Sequence, residues 1–149
     1  PSERISSELV NGYRRNTHID EPEINLHPDN QVVLTRVLGE LVNKGLRLII
    51  STHSDYIVRE INNLIMAGEL KAAGSQSQTE FGYSDEMMLD RKQVRAYYFE
   101  PSEAAQVVVD PAPIDRYGFS VATIDQTIRL QNEITDNLHD ILKFDYPKL

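Results

Sequence analysis

The chain has 149 residues, a size typical of one globular domain, and 40% of its residues are hydrophobic. Its formal net charge of −8 argues against broad binding to nucleic-acid backbones, which requires clustered Lys and Arg. No apolar run reaches the length of a membrane span, the N-terminus lacks a signal-peptide pattern, and the absence of cysteine excludes disulfides and thiolate metal sites. We therefore expect a cytoplasmic protein without membrane contact, and we expect any nucleic-acid contact to come from other segments.

Helix and strand patterns alternate in the first half of the chain. Pro28 is favoured in a first helical turn, and Gly45 is placed to stop the helix that follows. The run Leu46–Ile50 is short and apolar, which predicts a buried strand. A second helix is predicted from about Asp55, and Gly68 is expected to end it.

The second half has a different character. Residues 69–92 include a run of small polar side chains and are expected to form a mobile loop. Strand patterns at 94–99 and 105–109 predict a β-hairpin with its turn at 100–103. A long helix is predicted from about 123 to 142.

The order of these elements predicts an α/β fold. A helix that leads into a buried strand and then a second helix is a piece of a doubly wound sheet. The hairpin and the C-terminal helix complete the arrangement, which we interpret as one domain over residues 1–149.

Two adjacent carboxylates, Asp20 and Glu21, stand where a strand before Pro22 would end. One of them can hold Mg²⁺, usually through water, because magnesium prefers oxygen ligands. The next side chain points elsewhere in an extended chain, so it can orient or deprotonate an attacking water. Considered alone, however, the acidic segment is better explained as a turn before a helix.

A histidine later in the chain, His53, favours a chemical role for the two acids. It lies in the segment Ser51-Thr52-His53-Ser54, which follows the second predicted strand. Its imidazole can donate a hydrogen bond to a γ-phosphate, and ligands in open α/β sheets bind at the carboxyl ends of strands. A right-handed crossover places this strand end beside Asp20, which favours phosphate chemistry over an acidic turn.

These segments together resemble known nucleotide-binding motifs. Asp20-Glu21-Pro22-Glu23 followed by Asn25-Leu26-His27-Pro28 is similar to the Walker B motif and D-loop of ABC-type ATPases, and Ser51–Ser54 is similar to their switch-histidine motif. The similarity is greatest to the SMC, RecF and OLD group. It covers Ile19 to about Ile65 and implies a P-loop NTPase fold that uses ATP and Mg²⁺.

The resemblance also implies roles for single residues. Asp20 would assist Mg²⁺, Glu21 would be the catalytic base, and His53 would contact the γ-phosphate. Nucleotide would be bound by Asp20, Asn25, His27 and Ser51. The segment from Asn25 to Pro28 would lie at a homo-oligomer interface, where ATP is held between two heads. Stand-alone ATPases of this kind act with a partner effector protein and resemble components of bacterial DNA repair and anti-phage defence systems.

The sequence departs from the family pattern in two ways. It contains no Gly-x-x-x-x-Gly-Lys-Ser/Thr phosphate-binding loop and no clear Leu-Ser-Gly-Gly signature. We therefore expect the C-terminal part of an ATPase head, inactive until a phosphate-binding lobe completes it. Two alternatives stay open: a non-catalytic interaction or sensor module that retains the fold, and the ATPase part of an OLD-type nuclease. The nuclease requires a further acidic metal site, for which the sequence offers only scattered residues, Asp110, Asp115 and Asp125.

Overall fold

A computed structural model describes two stretches of the chain, residues 16–101 and 107–145. The chain divides into two compact units. The first runs up to Arg95 and includes Pro113–Gly118, and the second comprises Ala96–Ala112 and the chain from Phe119 onward. All the predicted catalytic and nucleotide-binding residues belong to the first unit. The predicted α/β class is confirmed, since the described residues form three helices and two short sheets.

The first unit contains a parallel pair of strands. Strand β1 (Asn16–Asp20) pairs with β2 (Arg47–Ser51), and helix α1 (Pro28–Asn43) lies between them in the sequence. The expectation of a buried second strand is wrong for Ile49, whose side chain is 58% exposed. The physical reason is that β1 and β2 form a two-stranded sheet within the described residues, so exposed and half-buried positions alternate along both strands.

Helix α1 has the bounds that the sequence predicted. It begins at Pro28 and ends before Gly45, which has a φ of +94° and whose N–H donates to the carbonyl of Val42. Gly45 therefore reverses the chain into β2 at no steric cost, because glycine adopts a positive φ readily.

Helix α2 (Asp55–Ala72) continues past the glycine that was expected to end it. A Cβ at Gly68 would lie 2.4 Å from the carbonyl oxygen of Leu89, so the glycine allows a close approach between helix and chain. On α1, a Cβ at Gly39 would lie 2.5 Å from the carbonyl oxygen of Met87. Both glycines thus serve packing, which their positions within helical patterns did not indicate.

Residues 69–92, which we expected to form a loop throughout, begin with the last turn of α2 and include the 3₁₀ turn Ser77–Phe81. A second 3₁₀ turn, Arg91–Gln93, begins at the end of this range. Leu89 is buried with Leu64 and Ile65 in the core, and its N–H donates to the carbonyl of Leu64 at 3.1 Å. This segment therefore packs on the two helices. The packing is sterically possible because the two helical glycines have no side chain at the points of contact.

The second unit contains a hairpin and a helix. Strands β3 (Ala96–Pro101) and β4 (Val107–Ala112) pair antiparallel. Of the predicted turn at 100–103, residues 100 and 101 instead extend β3, and residues 102 and 103 lie outside the described residues. Helix α3 (Ala122–Asp145) exposes large apolar side chains at helical spacing: Leu130, Ile134, Leu138, Ile141 and Phe144. Among the helices of the described stretches, none combines the length and apolar character needed to cross a membrane.

Candidate active site

The two chemical motifs meet at the carboxyl ends of β1 and β2. The parallel register places Asp20 opposite Ser51, and the Ser51 hydroxyl donates a hydrogen bond to Oδ1 of Asp20. The N–H of Glu21 donates to the Ser51 carbonyl at 2.9 Å. The last residue of each strand and the first residue after β1 are therefore fixed to each other by short polar contacts.

His53 lies beside two carboxylates. Its Nδ1 atom is 3.5 Å from Oε1 of Glu21 and 3.4 Å from Oε1 of Glu23. The His53 side chain is 75% exposed, so the imidazole stays accessible to a molecule at the strand tips. The structure thus brings together the acid and the imidazole that the sequence assigned to catalysis.

The chain turns sharply after Asp20. Glu21 has a φ of +44° and Asn25 a φ of +61°, both in the left-handed region that non-glycine residues seldom adopt. For Glu21 such a conformation costs about 1–3 kcal/mol and is kept where surrounding contacts determine it, whereas asparagine adopts it more readily. Here the hydrogen bond from the Glu21 N–H to the Ser51 carbonyl holds the turn that follows β1.

Glu23 is a site residue that sequence reasoning missed. Its side chain is only 7% exposed, and its Oε1 accepts hydrogen bonds from the Thr52 hydroxyl at 2.8 Å and the His53 N–H at 3.0 Å. Burial acts to raise the pKa of Glu23. This effect of burial is outweighed by hydrogen bonds from the backbone of Glu23, from Thr52 and from the backbone of His53. Together with the nearby imidazole, they lower the pKa of Glu23 below its usual value. Glu23 is therefore a buried anion that joins the turn after β1 to the end of β2.

This pKa shift predicts a pH dependence of stability. A carboxyl group with a lowered folded-state pKa stabilises the fold above its unfolded pKa, near 4.5, and loses that contribution as the pH falls through the folded value. We expect wild type to exceed Glu23→Gln in free energy of unfolding by on the order of 1 kcal/mol near neutral pH. Urea unfolding followed by circular dichroism should show this margin shrinking below pH 4.5; a constant margin would contradict the assignment.

A second set of polar contacts connects the segments around the site. The Ser54 hydroxyl caps α2 by accepting from the N–H of Ile57 at 3.3 Å, and it donates to Oε1 of Gln31. The other end of that amide, Nε2 of Gln31, donates to the Leu26 carbonyl at 3.0 Å. The start of α2, the start of α1 and the turn before α1 are consequently tied together.

Two predicted nucleotide-binding residues lie in that turn region. Asn25 is exposed, and His27 caps α1, with Nδ1 as acceptor of the Asp29 N–H at 3.4 Å. Of the aspartates considered for a nuclease, Asp115 binds the N–H of Tyr117 in a turn and Asp110 lies in β4. Within residues 16–101 and 107–145 no group of three or more acidic or histidine side chains could hold a metal ion.

Magnesium is the metal that the motifs imply. Asp20 and Ser51 present a carboxylate and a hydroxyl, both of the oxygen type that Mg²⁺ selects. Because magnesium keeps several waters and commonly uses one or two protein oxygens with substrate phosphates, this small donor set fits such an ion. It does not resemble a dedicated protein cage, which agrees with the lack of a larger acidic cluster among the described residues.

The segment that carries the site resembles a known family of proteins. Searches of curated proteins and of solved structures found no similar protein or fold at a significant level. Residues 14–58 match the family model of an AAA ATPase domain. That range contains both strand ends, α1 and every residue assigned to the site, although it covers well under half of the chain. The match therefore supports an AAA-type ATPase family for the segment that carries the site.

Proposed function

We propose that this chain is the C-terminal part of an ABC-type ATPase head that hydrolyses ATP once a phosphate-binding lobe completes it. The observation that carries the proposal is the approach of His53 Nδ1 to within 3.5 Å of Glu21 at the tips of two parallel strands. The match to an AAA ATPase domain supports the general ATPase activity. The assignment to the SMC, RecF and OLD group rests on the motif resemblance.

Glu21 is the proposed general base. It follows β1 directly, its side chain is 45% exposed, and its turn conformation separates it from the strand direction. A partly exposed carboxylate beside a strand tip can orient a water molecule and accept its proton as that water attacks a γ-phosphate. His53, which follows the neighbouring strand, then donates a hydrogen bond from a ring nitrogen to the phosphate.

Asp20 and Ser51 are the proposed magnesium ligands, with Asp20 acting mainly through water. When bound, the metal neutralises negative charge on the phosphates. The hydrogen bond between the two side chains fixes the direction of the Asp20 carboxylate. Asn25 and His27 would contact nucleotide from the exposed turn at the edge of the same site.

The proposed assembly is a homo-oligomer with nucleotide at its interface. The turn that carries Asn25 also exposes Ile24, at 56%, and His27, so it presents a mixed polar and apolar surface beside the catalytic pair. ATP would join two heads across this surface, and hydrolysis would separate them and change a partner effector. DNA repair and anti-phage defence are the proposed settings of that effector.

A second candidate is a non-catalytic module that retains the ATPase fold. The observation that favours it is the absence of a phosphate-binding loop from the 149 residues. That loop is the element whose backbone N–H groups hold the β- and γ-phosphates in P-loop NTPases.

One experiment separates these two functions. ATP binding and hydrolysis are measured for the chain alone, and then with an N-terminal lobe that contains a phosphate-binding loop, supplied by fusion. We expect no turnover from the chain alone and magnesium-dependent turnover from the fusion. A folded fusion that binds ATP without hydrolysing it would favour the non-catalytic module.

A further inference from the structure

We propose that Glu23, and not the nearby Glu21, is the residue that positions the His53 imidazole. Its importance for hydrolysis rests on the proposed ATPase function, whereas the positioning itself is a property of this chain. The distinction matters because Glu21 is the proposed base and needs to move independently of the imidazole.

Glu23 holds His53 through several contacts at once. Oε1 of Glu23 accepts the His53 main-chain N–H at 3.0 Å and lies 3.4 Å from Nδ1 of the same residue. The same oxygen accepts the Thr52 hydroxyl at 2.8 Å, and Thr52 Oγ1 in turn accepts the Ser54 N–H at 3.0 Å. The carboxylate of Glu23 thus fixes the main chain on which His53 stands as well as one side of its ring.

Glu21 has a weaker hold on the same ring. It approaches His53 at one point, 3.5 Å from Nδ1, and its side chain is 45% exposed against 7% for Glu23. A half-exposed carboxylate exchanges its contacts with water readily, while a buried one keeps them because leaving an anion unpaired is costly. Glu21 can therefore turn toward a water molecule without releasing the imidazole.

A negative charge beside Nδ1 favours the histidine tautomer that carries its proton on that nitrogen. Nε2 is then the ring nitrogen available to a ligand. A carboxylate that orients a histidine from its rear nitrogen is a general way to fix ring direction at metal and catalytic sites. The lowered pKa of Glu23 keeps its charge in place at neutral pH.

The test uses the 149-residue chain with three substitutions. Glu23→Ala removes every contact. Glu23→Gln keeps an oxygen for Thr52 and for the His53 N–H but removes the charge beside the ring. Glu21→Gln is the matched control, because it makes the same chemical change at the other carboxylate beside Nδ1. Nitrogen-15 NMR of the His53 ring reports the tautomer, and hydrogen exchange reports protection of the His53 amide.

We expect Glu23→Gln to reduce the population protonated at Nδ1 while the His53 amide keeps its protection. Glu23→Ala should also raise the exchange rate of that amide by roughly tenfold or more, because a hydrogen bond to a charged group is lost. Glu21→Gln should leave the amide protected and Nδ1 the preferred protonation site. An unchanged ring in Glu23→Gln, or an equal effect of Glu21→Gln, would overturn the proposal. If Glu23→Ala does not fold, the ring signal of Glu23→Gln alone decides the question.

ATP hydrolysis by the completed head provides an independent test. Glu23→Gln should lower kcat by roughly tenfold to a hundredfold with KM for ATP within about twofold, as for loss of an orienting group around a catalytic side chain. A head that never hydrolyses ATP would remove the proposed function and leave the NMR result standing. A normal ring in Glu23→Gln combined with active hydrolysis would remove the positioning role and leave the function standing.

Discussion

Glu21→Gln is expected to reduce ATP hydrolysis by the completed head roughly 10²–10⁴-fold while ATP binding persists. The amide that replaces the carboxylate has nearly the same shape but cannot accept a proton from water. Because Glu21 is bound to Ser51 through its main-chain N–H, the substitution leaves the strand-tip geometry unchanged. The expected loss therefore falls on kcat, with KM for ATP almost unaffected.

A matched control is Glu40→Gln. Glu40 lies on α1, pairs with Lys44 at 3.9 Å one helical turn away, and belongs to no part of the site. The same change of carboxylate to amide there should leave turnover unaltered and alter stability by under about 0.5 kcal/mol. Unchanged hydrolysis in Glu21→Gln would remove Glu21 from the role of base.

Local sequence signals were sufficient for the elements around the site. Pro28 and Gly45 mark the limits of α1, and the run Leu46–Ile50 differs by one residue at each end from β2. Both signals act through the backbone of the residue itself, by fixed φ at proline and free φ at glycine. Their effect does not depend on distant contacts, which explains why the pattern was sufficient.

Burial was harder to predict because it depends on distant residues. In the sequence alone, Glu23 is one of several acidic residues in a predicted turn. Its hydrogen-bond partner Thr52 lies 29 residues away. Only the meeting of β1 and β2 makes this carboxylate an internal anion. The available signal was Thr52, a hydroxyl directly after a strand that was already expected to end beside the acids.

The two helical glycines illustrate the same limit. A glycine near the end of an apolar helical pattern predicts a stop, yet Gly68 lies within α2 because the Leu89 carbonyl occupies the space of a side chain. The sequence pattern of α2 contains no information about the packing of Leu89, which lies 21 residues after Gly68. Whether glycine ends a helix or permits contact is decided by tertiary packing.

The largest stability effect is expected at a partly buried ion pair between the helices of the first unit. Nε of Arg36 on α1 lies 2.6 Å from Oε1 of Glu60 on α2, and Glu60 also accepts from Asn63 at 3.0 Å and from the Tyr83 hydroxyl at 3.3 Å. The guanidinium lies 4.8 Å from the centre of the Tyr83 ring. The hydrogen bond with Glu60 raises the pKa of Arg36, and burial raises the pKa of Tyr83.

Arg36→Leu removes the counter-charge and leaves the Glu60 carboxylate, 5% exposed, with the neutral donors Asn63 and Tyr83. Breaking a buried pair from one side costs roughly 3–5 kcal/mol, and we expect the lower end because Arg36 is 30% exposed. Urea unfolding at neutral pH should show this loss in the midpoint with little change in slope. The loss is a large part of the roughly 5–15 kcal/mol by which a domain is stable.

Two further variants decide whether the charge, rather than the lost side chain, is responsible. Arg59→Leu breaks the exposed pair with Asp55, whose atoms are 2.5 Å apart, and should cost under about 0.5 kcal/mol. Adding Glu60→Leu to Arg36→Leu removes the stranded anion and should recover much of the stability, because an apolar pair of similar volume replaces a buried ion pair at little cost. If the double variant is no more stable than Arg36→Leu, the loss comes from packing of the arginine stem against Tyr83.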